Sequence, residues 1–232
     1  MSLNNQARLT QQQDQWWQKL SPERIRRHVL QRLADADIPP KFQRTSFASL
    51  DPQRHPEAFR IAQTYADQGH YQNRPGLLLV GPPGVGKTAL AVAILRQTVE
   101  RTQGRYGVRF WNVPRGLEAL RQSFRDQGAA TEGILPVTRN RLVVLDDWGP
   151  QKKTEWVADQ LYVLIDTLWS HERQVILTTH LTRQGLLNSL DEAVVSRLCG
   201  LCHEVFLGGK DGRLTGTESL KWVRFAKSPW IG

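Results

Sequence analysis

The chain has 232 residues, a formal net charge of +9, and 40% hydrophobic against 23% charged residues, a composition that belongs to a globular domain and excludes disordered and fibrous classes. No apolar run approaches the ~18–20 residues that span a bilayer, and the N-terminus through Trp17 lacks the apolar core of a secretory signal. Two cysteines cannot build a disulfide framework, so the expected location is a reducing cytoplasm.

Residues 1–20 are polar and Gln-rich and end in Trp16, Trp17 and Leu20. Ser21-Pro22 has the form of a helix start, with Ser as cap and Pro at the first helical position. Ile25, Val29 and Leu33 recur at helical spacing, and Pro39-Pro40 closes the segment. Residues 1–37 are expected to form a short helical extension that either contacts a partner or packs on the main domain, which is 38–232. Leu77–Val80, Val108–Asn112, Arg141–Leu145, Val175–Thr179 and His203–Leu207 read as five apolar strands. Helical patterns lie between them: Thr88–Glu100, a face carrying Leu117, Leu120 and Phe124, a face carrying Val157, Leu161, Leu164 and Leu168, and a segment capped by Asp191 with Val194 and Leu198. Alternating strands and helices predict an α/β fold, a parallel sheet covered on both faces.

The strongest motif is Gly81-Pro82-Pro83-Gly84-Val85-Gly86-Lys87-Thr88, which satisfies G-x-x-x-x-G-K-[ST] between an apolar strand and a helix. Backbone amides from Gly81 to Ala89 and the positive end of the following helix would cradle nucleotide phosphates. Lys87 would reach the terminal phosphates, and Thr88 would place its hydroxyl on Mg²⁺. Val143-Val144-Leu145-Asp146-Asp147 is a strand tipped with two acids. Parallel strands deliver such residues to the edge where ligands bind, so Asp146 is expected to hold Mg²⁺ and Asp147 to orient or deprotonate an attacking water.

These elements, with Thr178-Thr179-His180 and Val195-Ser196-Arg197-Leu198 following in order, resemble the AAA+ ATPases. More narrowly the chain resembles the DnaC, DnaI and IstB group of helicase loaders and transposition helper ATPases. Ile38-Pro39-Pro40-Lys41-Phe42 ahead of Ser46-Phe47, and Gly216 to Lys221, carry the narrower likeness, which covers about residues 36–225. It implies a three-layer P-loop NTPase with a central parallel five-stranded sheet. It implies ATP and Mg²⁺ as cofactors, with slow hydrolysis stimulated by a partner or by DNA, and a replicative helicase or a transposase as protein partner. Thr178–His180 corresponds to the polar group between the acids and the terminal phosphate. His180 stands where the family commonly has Asn, and Thr179 is its rival. Arg197 corresponds to an arginine acting on ATP held by a neighbouring subunit, or else pairs with Asp191 or Glu192 within its own helix. The first reading implies homo-oligomers with head-to-tail contacts. Lys221 falls where the group has a basic residue facing the nucleotide.

Residues 96–125 hold seven arginines against two glutamates, with Phe110 and Trp111 interleaved. Arg109, Arg115, Arg121 and Arg125 are expected to contact single-stranded DNA; the alternative is that the aromatics are core and the arginines solvated. Cys199-Gly200-Leu201-Cys202 lacks the second ligand pair a zinc site needs. A small-molecule or nucleoside kinase on the same loop, and a nucleotide-gated adaptor with little hydrolysis, are the rival functions. Asp147, one methylene shorter than Glu, fits the adaptor.

Overall fold

The computed structural model describes residues 20–67, 75–127, 134–149, 154–189 and 192–209. Its centre is a five-stranded sheet in which every neighbouring pair is parallel, in the order β2-β3-β4-β1-β5. The strands are β1 (Gly76–Val80), β2 (Val108–Asn112), β3 (Leu142–Trp148), β4 (Gln174–Thr179) and β5 (Cys202–Phe206). All five lie where the apolar runs predict them; β3 continues three residues past Leu145. The helices are α1 (Pro22–Asp35), α2 (Pro56–Asp67), α3 (Lys87–Arg101), α4 (Val113–Gln127), the short α5 (Leu135–Thr138), α6 (Glu155–Ser170), α7 (Arg183–Ser189) and α8 (Glu192–Leu201).

Strand pleating sends alternate residues to opposite faces, and here the two faces feed two cores. Leu77, Leu79, Val108, Phe110, Leu142, Val144 and Ile176 pack with α3 and with Ala58, Ala62 and Ala66 of α2. Val143, Leu145, Val175 and Leu177 pack with α4, α6 and α8 on the other side. The result is a three-layer sandwich. Helix α2 escapes the sequence pattern because its buried stripe is alanine rather than large aliphatics.

Helix α1 starts as expected, with the Ser21 hydroxyl accepting from Arg24 N at 3.4 Å. Val29 and Leu33 pack against the α3-side core, and Arg32 Nε donates to Gly104 O at 3.0 Å. The chain then runs along β2, where Phe110 N donates to Ala36 O at 2.7 Å. That bond covers part of an edge that would otherwise expose unpaired backbone groups. Trp16 and Trp17 lie outside the described residues, as does the Asp191 cap.

Candidate nucleotide site

The phosphate loop leaves the C-terminal end of β1 and enters α3. Gly84 and Gly86 hold φ of 76° and 108°, a backbone region that costs an L side chain energy and that glycine reaches freely. Lys87, the first residue of α3, folds back over the loop: its ammonium donates to Gly81 O at 2.7 Å and Pro82 O at 2.8 Å.

Beside the loop, register and pleat bring three polar residues into one row. Asn112 pairs with Asp146 across β2 and β3, and Leu145 with Leu177 across β3 and β4. Asn112, Asp146 and Thr178 therefore share the α3-facing side. The Asp146 carboxylate is buried, with 7% of its surface exposed. Its Oδ1 accepts from Thr88 Oγ1 at 2.8 Å and from Thr178 Oγ1 at 2.8 Å, and its Oδ2 from Asn112 Nδ2 at 3.4 Å. A buried carboxylate needs such donors, and three come from three different elements. Asn112 is a part of this cluster that motif reading did not single out, and Thr178 lies within the expected Thr178–His180 segment, in which His180 and Thr179 are the rivals for the role; the signal available was the place of both residues at the ends of the strands flanking the acid-tipped one.

The second acid sits on a bulge. The register of β3 against β4 shifts between Leu145 and Trp148, and Asp147 takes φ of 60°, a conformation that Asp tolerates better than most residues. The extra residue reverses the alternation, so Trp148 is fully buried among the α6-side residues instead of facing α3. Asp147 is thereby extruded. Its N–H donates to Thr178 Oγ1 at 3.0 Å, and its exposed carboxylate lies 3.9 Å from His180 Nδ1. Thr179 points to the opposite face, fully buried. Its hydroxyl donates to Trp148 O at 2.8 Å and accepts from Leu181 N at 3.0 Å. It serves the bulge, while Thr178 touches the acid.

The family described as IstB-like ATP binding protein matches residues 10–219, most of the chain. This protein belongs to that family. The fold agrees with solved structures. The DnaC helicase loader superposes with a TM-score of 0.62 at 23% identity, covering 73% of this chain and 99% of that one. DnaI gives 0.62 at 23%, covering 74% and 95%. The replication initiator DnaA, solved with AMPPCP and single-stranded DNA, gives 0.60 at 21%, covering 74% and 51%. No curated protein matches the sequence. The chain thus belongs to an ATP-binding family and has the fold of those structures, and among its described residues no helix is long and apolar enough to cross a membrane.

The remaining expected residues fall elsewhere. Arg197 of α8 lies against α6: its Nε is 3.0 Å from Asp166 Oδ1, and its guanidinium stacks on Tyr162 and Trp169 with centroid distances of 5.1 and 5.8 Å. The carboxylate beside it is thus on another helix; Asp191, considered from spacing along with Glu192, lies outside the described residues. Arg109 is ion-paired with Asp37 and donates to Asp35 O at 3.2 Å, so α1's exit holds it. Arg115 is exposed at the start of α4. Arg121 lies 3.9 Å from Glu118 and stacks over Trp156 at 5.0 Å. Phe110 is core and Trp111 packs against the other core. The Arg125 side chain, the Cys199 side chain and Lys221 lie outside the described residues. Cys202 is buried, and among the described residues no group of three or more His, Cys, Asp or Glu is arranged to hold a metal.

Two further contacts to the loop come from the turn ahead of α2. Arg54 Nη2 donates to Gly84 O at 3.2 Å, and His55 Nε2–H donates to Val85 O at 2.8 Å. Burial pushes the His55 pKa below its usual 6.5; the Val85 bond opposes this and Arg54 adds to it. The folded chain therefore binds the proton less readily than the unfolded one. The stabilisation is complete above about pH 6.5 and is lost as the pH falls through the lowered folded value. Between about pH 7 and pH 5, the melting temperature of the wild type is expected to fall further than that of His55→Gln, which keeps a donor and cannot titrate. Parallel melting curves check this, and identical slopes would refute it.

Proposed function

We propose that this chain hydrolyses ATP and uses the nucleotide state to switch its grip on a protein partner, a replicative helicase or a transposase, and on single-stranded DNA. One observation carries the reading: Asp146 is tied at once to Thr88 of the phosphate loop and to Thr178 of the neighbouring strand. A change at the terminal phosphate is thereby transmitted to loop, helix α3 and two strands together, the kind of linked contact that nucleotide switches use.

The donor set suits Mg²⁺. Thr88 and Asp146 offer hard oxygens, and Mg²⁺ characteristically takes one or two protein oxygens with phosphates and water. When bound, the ion would neutralise charge on the phosphates. Lys87 would turn from the Gly81 and Pro82 carbonyls to the phosphates, trading two neutral acceptors for charged ones. Asp147, on the solvent side of the bulge, would orient the attacking water or take its proton. His180 would hold Asp147 or donate to the terminal phosphate. Thr179 would act indirectly, by fixing the bulge that presents Asp147.

Arg197 would act on ATP held by the neighbouring subunit after leaving Asp166, giving head-to-tail assemblies. In a turnover assay across protein concentration, with and without single-stranded DNA, wild-type specific activity is expected to rise as assemblies form. Arg197→Ala is expected to bind ATP within a few-fold of wild type and to lose on the order of 10³-fold of the assembled rate, the lower end of the range for arginines that stabilise the transferring phosphate. Equal specific activity of the two proteins at high concentration would defeat the cross-subunit role. The second reading is a nucleotide-gated adaptor with little turnover. It is favoured by the short, exposed Asp147 side chain, and a rate near zero under all these conditions would select it. Exposed Arg115 and the partly exposed Arg121 on α4 are the residues we assign first to single-stranded DNA, and Arg109 and Arg125 complete the set expected from the sequence.

A further inference from the structure

The opposite end of the sheet has a composition of its own. Arg141 N donates to Gly107 O at 2.9 Å and Gln174 N to Arg141 O at 3.0 Å, so the starts of β2, β3 and β4 stand in one row. Adjacent strands are about 4.8 Å apart, which makes this a row of roughly 10 Å. Tyr106, Arg141 and Arg173 each lie just ahead of one of these strands, and Arg139 is two residues before Arg141. The Arg141 guanidinium sits over the Tyr106 ring at 5.0 Å. Arg139 Nε donates to Leu135 O at 3.3 Å and Arg173 Nε to Thr138 O at 3.2 Å.

Helix α1 prolongs the row. The bond from Arg32 Nε to Gly104 O brings it alongside the approach to β2. Four guanidinium groups thus stand along this end of the sheet. They rest on backbone carbonyls or a tyrosine ring; the nearby acids in sequence are Glu172, next to Arg173, and, three residues past Arg32, Asp35, which accepts from Gln31 Nε2 at 2.8 Å. Arg101, Arg109 and Arg197, by contrast, are matched with acids: Asp67, Asp37 and Asp166. Where the anchoring donor is Nε, the guanidinium keeps further N–H groups for a second acceptor.

We infer that this end of the sheet is a nucleic-acid contact surface, with Arg139, Arg141 and Arg173 on backbone phosphates and the Tyr106–Arg141 pair against sugar and base. Guanidinium forks match phosphate oxygens two at a time, and an aromatic set among cations is how strands are held without reading sequence. The surface lies a strand's length from the phosphate loop, roughly 15–20 Å at about 3.3 Å per residue. It is separate from the α4 arginines and does not depend on ATP.

The test is fluorescence anisotropy of labelled single-stranded and duplex oligonucleotides with the full chain. Arg139→Gln/Arg141→Gln is expected to bind about tenfold more weakly at moderate salt and to lower the slope of log K against log salt by roughly 1.4 for single strands. Arg139→Lys/Arg141→Lys is expected to recover most of the slope, and unchanged ATP affinity in both variants shows that the fold persists. Arg115→Gln/Arg121→Gln serves as the comparison. Loss confined to that α4 pair would overturn the inference while leaving a DNA-binding protein. Oligonucleotide binding that is absent in the wild type, with polyglutamate binding lost in Arg139→Gln/Arg141→Gln, would overturn it in favour of an acidic protein partner.

Discussion

Lys87→Ala is expected to weaken ATP binding by roughly 10- to 100-fold, the value of about 1.5–3 kcal/mol for a hydrogen bond to a charged group. The folded chain should hardly notice the change. The ammonium is only part-buried and donates to two carbonyls of the loop it belongs to, polar contacts at the surface of the site and not part of the apolar core. Titration calorimetry with ATP, beside a melting curve, measures both quantities. An unaltered affinity would mean that the loop does not hold phosphates through this lysine, and the reading of the site would fail with it.

Asp146→Asn is expected to reduce Mg²⁺-dependent hydrolysis by about 10²–10³-fold, the range seen when one preorganised charge-stabilising group is removed. ATP binding should remain within a few-fold of wild type, because the loop amides and Lys87 are untouched. Stability should change by at most ~1–2 kcal/mol. The amide oxygen of Asn at the Oδ1 position still accepts from Thr88 and Thr178. The new NH₂ then faces Asn112 Nδ2, and Asn112 cannot simply turn over, since its Oδ1 accepts from Arg115 N at 3.3 Å. One donor–donor contact is the cost. A turnover rate within twofold of wild type, in protein that melts normally, would show that Asp146 holds no catalytic ion.

Most of the scaffold and half of the site are legible along the chain because they are local. An apolar run of four residues, Leu77–Val80 ahead of Gly81 or Leu142–Leu145 ahead of Asp146, needs no partner to be recognised as a buried strand. The loop's glycines and lysine act through backbone they carry themselves. Helix α2 shows the limit: Ala58, Ala62 and Ala66 fill a narrow gap against α3 and leave no hydrophobic signal. His55 and Arg54 reach the loop from 30 residues away in sequence, a distance at which spacing says nothing.

By itself, then, the sequence determined the parallel α/β architecture, the phosphate cradle from Gly81 to Thr88 and the pairing of that cradle with an acid-tipped strand. Only the tertiary structure decided which threonine faces the acid, what the arginines touch, and where Asp147 points. The reason is parity and register. One extra residue in β3 moves Trp148 into the core and Asp147 out of it, and pairing across β2, β3 and β4 aligns Asn112, Asp146 and Thr178. The run of arginines between Arg96 and Arg125 is likewise continuous in sequence but divided in space. Asp67 and Asp37 claim two of its members, and those carboxylates come from a helix and the exit of another that only the packed fold sets beside them, as it sets Trp156 beneath Arg121.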